Sequence, residues 1–283
     1  MIRIRSCSGM DEMQACVDLQ IETWGYDESD VIPRKTFLLA QKIGGQVIGA
    51  FEDRDQGTEG TREQASRDEA AGKAGSEGAS EQGSNEMRET LVGFAMSLPG
   101  LKSTPHGPQP YIHSHMLAVR PSHRNRGLGA QLKWEQRHEA LSRGIRHMEW
   151  TFDPLEIKNA FINIHRLGAI CREYRANFYG VSSSRLQGGL PTDRLLAEWE
   201  LDSPRVEALF ARRPAAACTI EERILVPASI ERWKAGDATR QRAFDVQLEN
   251  LQKFQKAFSR GLAVLGFFLD AEGNGVYELG PLS

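Results

Sequence analysis

Apolar residues recur with a period of about two in some segments and about 3.6 in others, which separates predicted strands from predicted helices. Strands are predicted at residues 2–5, 46–51, 91–98, 111–119, 147–152, 171–179, 194–201, 220–226, 263–269 and 276–279. Helices are predicted at residues 9–24, 33–42, 130–143, 153–168 and 238–260. Pro99 and Gly100 are expected to close the strand that precedes them.

One segment breaks this pattern. Residues 53–88 contain no Val, Ile, Leu, Phe, Tyr or Trp and are rich in Gly, Ser, Glu, Gln and Ala. Such a composition buries too little apolar surface to offset the entropy of ordering, so a disordered acidic insert is predicted between two strands. From residue 52 to 89 the chain has 11 acidic and 5 basic residues, so the remainder carries +3 although the whole chain carries −3.

The composition of the whole chain is typical of a globular protein, with 283 residues of which 40% are hydrophobic and 26% charged. Collagen-like, coiled-coil and wholly disordered classes are therefore excluded. No apolar run is long enough for a signal peptide or a membrane span, so we expect a cytoplasmic protein without a membrane partner. We also expect reduced thiols and no metal site, because the cysteines are scattered without metal-ligand spacing: Cys7, Cys16, Cys171 and Cys218.

The clearest chemical signal follows the strand at residues 111–119. The segment LAVRPSHRNRGLGAQL has Arg124, Gly127 and Gly129 between a strand and a helix. Two glycines let the backbone turn tightly and approach a ligand, and the first amides of the next helix have no intrahelical partner. Residues 120–146 include seven basic and two acidic side chains, so this turn predicts a pyrophosphate site. The glycine spacing alone also fits an ordinary strand-to-helix turn, and it matches neither a Walker A loop nor a Rossmann fingerprint.

The same segment resembles the acyl-CoA-binding motif of the GNAT superfamily of N-acyltransferases. The order of predicted elements over residues 1–201 is similar to that family too, and WTFDPLEIKNAFINIHRLGAICREYRANFYG and GLPTDRLLAEW resemble a bacterial branch of predicted acetyltransferases. The resemblance implies an α+β fold, with a mixed, mostly antiparallel sheet flanked by helices and opened at its centre. It implies a GNAT-like domain at residues 1–202, which leaves residues 203–283 as a small C-terminal α/β appendage of a strand, a long helix and a hairpin.

The resemblance also implies which residues would bind the co-substrate, acetyl-CoA or another acyl-CoA. Leu117 and Val119 would offer backbone groups to the pantetheine arm. Asn159 begins the helix that in the family lies near the pantetheine and the thioester. The residues that would hold the pyrophosphate are Arg124, Arg126, Gly127, Leu128, Gly129 and Ala130.

The catalytic base is a less direct inference. In several family members a glutamate on the motif strand is the base, and the comparable position here is His113. A histidine with a pKa near about 6.5 suits this role at neutral pH. Strand alternation is expected to place His113, His115 and Leu117 on one face, which makes His115 a second candidate. Either histidine also fits an ordinary polar strand position.

A tyrosine acid that is common in the family is replaced here by Ile164. Tyr174 is our candidate for the acid, with Tyr179 or His165 as alternatives, and a thiolate can also leave without a dedicated acid. Asp153 fits helix capping better than catalysis.

The sequence therefore predicts transfer of an acyl group, acetyl by default, from CoA to a primary amine of a small molecule or amino acid, by direct attack in a ternary complex. The alternative is a non-catalytic acyl-CoA-binding regulator, which the missing tyrosine favours. No nucleic-acid partner is expected, because no aromatic and basic stacking pattern accompanies the turn. A homodimer is compatible with the sequence. Arg172, Arg175 and Arg185 are candidates for contacting an acceptor carboxylate, or are ordinary surface charges.

Overall fold

A computed structural model describes residues 1–53, 89–180 and 182–282. Within them the strands are β1 (Ile2–Ser6), β2 (Gln46–Asp53), β3 (Glu89–Thr104), β4 (Gly107–Val119), β5 (His147–Phe152), β6 (Ile170–Arg175), β7 (Arg194–Glu200), β8 (Glu222–Val226), β9 (Leu262–Leu269) and β10 (Gly275–Pro281). The helices are α1 (Gly9–Trp24), α2 (Arg34–Lys42), α3 (Leu128–Ser142), α4 (Ile157–Ala160), α5 (Pro204–Phe210), α6 (Ile230–Ala235) and α7 (Arg240–Ser259). A π-helical segment, Phe161–Arg166, continues α4.

All the described strands belong to one sheet, in the order β1-β2-β3-β4-β5-β7-β6-β9-β10-β8. Neighbouring strands are antiparallel except β4 and β5, which are parallel. That parallel pairing is short, because it includes only Ile112 with Met148 and His113 with Glu149. Beyond His113 the two strands separate. The predicted α+β fold with a mostly antiparallel sheet that opens at its centre is confirmed.

The hairpin of β3 and β4 is longer than the sequence pattern indicated. We expected Pro99 and Gly100 to end the first strand, and this prediction was wrong, since β3 continues to Thr104 in register with β4. The neighbouring strand β2 pairs only as far as Ser97 of β3. Beyond that point β3 is an edge strand, where the missing amide of a proline breaks no ladder on the open side.

Helices cover both faces of the first half of the sheet. On one face α1 and α2 contribute Met13 and Phe37 to an apolar cluster with Phe94 of β3. On the other face α3 contributes Leu128 and Leu132, which pack against residues of β2 and β3. These two clusters hold the sheet between helical layers and fix the start of α3 beside the end of β4.

The C-terminal residues extend the same sheet. Cys171 of β6 pairs with Val264 of β9, and β10 and β8 follow outward. The strand, long helix and hairpin predicted for residues 203–283 are present, together with α5 and α6, which the sequence pattern did not indicate. The division into a domain at 1–202 and an appendage stays a prediction.

The predicted acidic insert, residues 53–88, lies outside the described residues except for Asp53, which ends β2. In the described part of the chain, no helix combines the length and apolar character needed to cross a bilayer.

Candidate functional site

The separation of β4 from β5 opens a cleft of about 380 Å³ in the middle of the sheet. We call it the cleft throughout. Its walls come from β4, the start of α3, β5, α4 with the π-helical segment, the end of α1 and the loop before β7. Its lining residues include Ser114, His115, Leu117, Gly129, Lys133, Trp150, Asp153, Glu156, Asn159, Asn163, Tyr179, Gln187 and Arg194.

The end of β4 presents unpaired backbone groups to the cleft. The Arg120 amide donates to the Val92 carbonyl of β3 at 2.8 Å. Because backbone groups alternate in direction along a strand, those of Val119 and Leu117 point to the opposite edge, where β5 has already turned away. Leu117 lines the cleft. This edge of β4 therefore has backbone groups without a strand partner, and the role expected for Leu117 and Val119 stays a prediction.

The turn after β4 exposes the start of α3. Gly127 has φ +78°, in the left-handed region that favours glycine, and a Cβ there would meet no atom within 4 Å. No side chain caps the helix, so its first amides are left without a protein acceptor. Gly129 lies on the cleft and would carry a Cβ 3.5 Å from Leu117. Free amides at the positive end of a helix dipole are the groups that an anion site requires, and we call this turn with the start of α3 the cradle.

The remaining residues expected at this cradle occupy different surroundings. Arg126 is exposed beside it. Leu128 is buried, so only its backbone faces the turn. Ala130 is partly buried and packs against the apolar cluster that contains Trp199. Arg124 is exposed but donates Nε to the Val119 carbonyl oxygen at 3.0 Å. In this conformation the Arg124 side chain stabilises the turn. It also uses the Val119 carbonyl, one of the two carbonyl groups of Leu117 and Val119 expected to bind the pantetheine arm.

The wall opposite β4 is a helix that begins later than its sequence pattern indicated. Asp153 accepts the Leu155 amide at 2.8 Å, but α4 starts only at Ile157. The π-helical turn then carries Asn163, which is buried and lines the cleft one helical turn after the exposed Asn159. The family motif pointed to Asn159 and not to Asn163, although a spacing of four residues on a helix indicates a shared face.

The two histidines of β4 are neighbours, with ring centroids 6.2 Å apart, but only one of them lines the cleft. Ser97 of β3 pairs with Ser114, whereas Met96 pairs with Met116, so His115 is an extra residue in a β-bulge. His115 lines the cleft and is exposed, and desolvation lowers its pKa below the ordinary 6.5. His113 lies before the opening, opposite Glu149 of β5, and does not line the cleft. Desolvation and the neighbouring His115 lower its pKa as well.

The bulge also reverses the alternation of β4. Ser114 hydrogen-bonds to Gln136 of α3, and Leu117 packs on the α3 side too, although an odd number of residues separates the two. Met116 packs with α1 on the other side. The expectation that His113 and Leu117 share one face was therefore wrong, because one inserted residue shifts the phase of the strand.

The candidate acids also differ in whether they line the cleft. Tyr174 is buried and donates its hydroxyl to Asp193 at 2.7 Å, and burial with this carboxylate raises the pKa of Tyr174. It does not line the cleft. Tyr179, the alternative, lines the cleft, and its hydroxyl lies 2.9 Å from the Thr151 hydroxyl. Ile164 is fully buried, and His165 stacks on Phe161.

A buried lysine of α3 lines the cleft. Lys133 of α3 is 4% exposed, and its Nζ donates to Ser114 at 2.7 Å and lies 3.6 Å from the ring centroid of Trp150. Burial lowers the pKa of this ammonium well below 10.5. The groups described around this ammonium are the Ser114 hydroxyl and the face of the Trp150 ring. Sequence analysis did not single it out.

A second buried lysine comes from α6 and joins the C-terminal elements to the cleft. Lys234 donates to Asp153 and to Glu156, each at 2.8 Å. Both carboxylates line the cleft. Desolvation raises the pKa of Glu156, against the opposing effect of Lys234. In addition, the buried Tyr277 of β10 donates its hydroxyl to the Pro154 carbonyl at 2.8 Å.

Comparison with known proteins decides the family. Residues 47–168 match the model of the Acetyltransferase (GNAT) family. This segment is a GNAT acetyltransferase domain. The resemblance stated from the sequence is thereby confirmed. No curated protein matches the chain.

Solved acetyltransferase structures are distantly similar to this chain. The ribosomal-protein-S18-alanine N-acetyltransferase from Escherichia coli shares 13% identity over 72% of this chain and 96% of its own, with a TM-score of 0.45. NAA60 from Arabidopsis thaliana, in complex with a bisubstrate analogue, shares 15% over 70% and 98%, with a TM-score of 0.45. A GNAT family acetyltransferase from Elizabethkingia anophelis with acetyl-CoA bound shares 14% over 70% and 97%, with a TM-score of 0.40.

The GNAT match covers one end of the cleft and not the other. It runs from β2 to the end of the π-helical segment, and so includes the cradle, the edge of β4 and the two asparagines. Tyr179, Gln187 and Arg194 lie beyond it. The described residues contain no group of three His, Cys, Asp or Glu side chains placed to hold a metal ion.

Proposed function

We propose that this GNAT protein transfers an acetyl group from acetyl-CoA to the primary amine of a small molecule or amino acid. The observation that carries the proposal is that the unpaired edge of β4 and the uncapped start of α3 lie in one cleft. The unpaired edge of β4 leads directly to the uncapped amides of α3, so an extended pantetheine arm and its pyrophosphate have adjacent sites. Membership of an acetyltransferase family supports the same chemistry.

The residues present fit acyl-CoA. The open space around Gly127 leaves room for a phosphate against the backbone, and the helix dipole favours its charge. Leu117 offers backbone groups in the direction that a β-strand partner requires, while Asn159 and Asn163 offer side-chain amides on the facing wall. Arg126 adds an exposed positive charge beside the cradle.

When bound, acetyl-CoA supplies an activated acetyl thioester. The acceptor nitrogen forms a bond to the acetyl carbon, the carbon–sulfur bond breaks, and the amine loses one proton as CoA leaves as the thiol. His115 is the base of this proposal, because it lines the cleft and desolvation lowers its pKa, which favours the neutral imidazole that a base requires. Tyr179, which also lines the cleft, is the candidate to protonate the leaving sulfur. Both replace the earlier candidates His113 and Tyr174, which lie outside the cleft lining.

Activity separates the proposal from its alternative, a non-catalytic acyl-CoA-binding regulator, which the buried Ile164 in place of a tyrosine favours. The assay is release of CoA thiol from acetyl-CoA, and in parallel from succinyl-CoA, with a panel of primary amines that includes free amino acids. We expect turnover with at least one small amine. CoA binding measured by calorimetry, with no turnover of any amine, would establish the regulator instead.

The cradle has a separate test. Gly127→Glu places a carboxylate where the pyrophosphate would lie, and we expect the Kd for CoA to rise at least about tenfold. Gly144→Glu is the matched control, because Gly144 has φ +77°, equally open surroundings and a position just after the same helix. The control carries the same backbone strain without the cradle. Equal CoA affinity in both variants contradicts the cradle assignment.

A further inference from the structure

One guanidinium in the cleft has no ion-pair partner among the residues that the structure describes. Arg194 begins β7 and lines the cleft beyond the GNAT segment. Its NH1 donates to the Asp193 backbone carbonyl at 3.0 Å, and its NH1 and NH2 both reach Oε1 of Gln187, at 3.3 and 3.2 Å. Among the described residues no acidic side chain lies within ion-pair distance of it.

The other arginines near this end of the chain are already engaged. Arg172 pairs with Glu198, and Arg175 pairs with Glu173. The side chain of Arg185 lies against Gly25. These three were the sequence candidates for an acceptor carboxylate, and none of them lines the cleft. Arg194 is therefore the guanidinium of this region that both faces the cleft and has no carboxylate partner in the described part of the chain.

Neighbouring groups hold this guanidinium in place. Gln187 is 4% exposed and is fixed by donating Nε2 to the Pro191 carbonyl at 2.8 Å. The same carbonyl accepts Nε2 of Gln247 from α7 at 2.9 Å, so the loop is supported from behind. The ring of Tyr179 lies with its centroid 5.4 Å from the guanidinium carbon. An arginine oriented by a neutral amide and an aromatic ring keeps its charge for a ligand and loses little entropy on binding.

We propose that Arg194 is the carboxylate subsite of the acceptor, and hence that the acceptor amine is an α-amino acid or a close relative carrying a carboxylate. This inference rests on the proposed acetyl transfer. A planar guanidinium fork matches a carboxylate, and the CoA pyrophosphate already has its own cradle at α3. The carboxylate binds Arg194, and the amine of the same molecule is then directed toward the thioester and His115.

Kinetics on matched acceptors test the subsite. L-α-Amino acids are compared with their carboxamides, which keep the amine and side chain but lack the negative charge. We expect kcat/KM to favour the acids at least about 30-fold, as for a charge-assisted hydrogen-bonded pair. In Arg194→Gln this ratio falls to near one, with Arg194→Lys between. Arg175→Gln, an exposed arginine outside the cleft, keeps the ratio of the parent.

A binding measurement keeps the subsite testable when no amine is acetylated. With CoA at saturation, N-acetylglycine and N-acetylglycinamide are titrated into the parent protein and Arg194→Gln. We expect tighter binding of the acid in the parent, by about 30-fold, and no preference in the variant. Turnover with equal kcat/KM for acids and amides overturns the subsite and leaves the acetyltransferase intact. If no amine is turned over, that result counts against the proposed function. In that case the binding measurement still tests the subsite: equal affinities of the acid and the amide, or no binding of either, overturn it.

Discussion

The position of His115 depends on a single unpaired residue in β4. The bulge shifts the phase of the residues that follow it, so Leu117 packs on the α3 side of the sheet. At the bulge, His115 reaches the cleft while His113 stays beside Glu149, in the part of β4 that is paired with β5. The sequence IHSHML contains no glycine or proline that signals a bulge. The family comparison selected His113, and no feature of the sequence indicates that His115 is the histidine that lines the cleft.

The proposed base predicts a specific pH dependence. Desolvation lowers the pKa of His115 below 6.5, and only the neutral imidazole accepts a proton. The parent's kcat at saturating amine should therefore reach its plateau near neutral pH and fall as the pH drops through the lowered pKa. His115→Gln should reduce kcat about 100-fold and remove that fall.

The control for this experiment is two residues away. His113→Gln changes the same residue type on the same strand, outside the cleft lining. We expect it to keep both the plateau rate and the acidic fall of the parent. If His113→Gln lost the acidic limb and His115→Gln kept it, the assignment of the base would be reversed.

At the scale of elements, local patterns predicted most helices and strands, and long-range pairing explains the failures. The predicted strand at 147–152 coincides with β5, and the predicted helix ending at residue 24 coincides with α1. The prediction that Pro99 ends a strand failed because a proline is tolerated within β3 beyond the point where β2 ends. The glycines of the cradle were found because their conformation is a local requirement. Arg194 and Lys234 were not, because their roles depend on distant partners in three dimensions.

The ion cluster of α6 with the start of α4 makes the C-terminal elements part of the cleft wall. Lys234 is 3% exposed and binds two carboxylates that are themselves largely buried. Lys234→Met leaves Asp153 and Glu156 without their counter-charge. We expect the free energy of unfolding in urea at pH 8 to fall by about 3–5 kcal/mol.

The pH dependence of that loss has a definite sign. The pKa of Glu156 is already raised by burial in the parent, and removal of Lys234 raises it further. A group with a raised folded-state pKa favours the folded state at low pH, so the deficit of Lys234→Met should shrink as the pH falls toward 5. Lys158→Met is the control, because this exposed lysine of α4 lies 3.8 Å from Glu231, and we expect it to cost less than about 1 kcal/mol. A deficit that grew on acidification would contradict the cluster's role.

At the scale of the whole molecule, the two parts predicted from the sequence share one core. Trp199 and Tyr174, from strands of the first part, belong to the same apolar cluster as Phe254 and Tyr277 from the second. The ring centroids of Tyr174 and Phe254 lie 5.6 Å apart, and β6 borders β9 in the continuous sheet. The C-terminal elements also support the loop that carries Arg194. Hence the second part completes the core and the cleft of the first.

This arrangement predicts that residues 1–202 do not fold alone. Truncation after residue 202 removes the partner strand of β6 and uncovers the ring of Tyr174. It also leaves Asp153 and Glu156 without Lys234. We expect the truncated chain to lack a cooperative thermal transition by circular dichroism. As a control, Asn-Gly replaces residues 54–88, because β2 and β3 pair up to Asp53 and Glu89 and a two-residue turn can join them. That variant should keep a cooperative transition within a few degrees of the parent's. A cooperative transition in the truncated chain would mean that residues 1–202 are an independent domain.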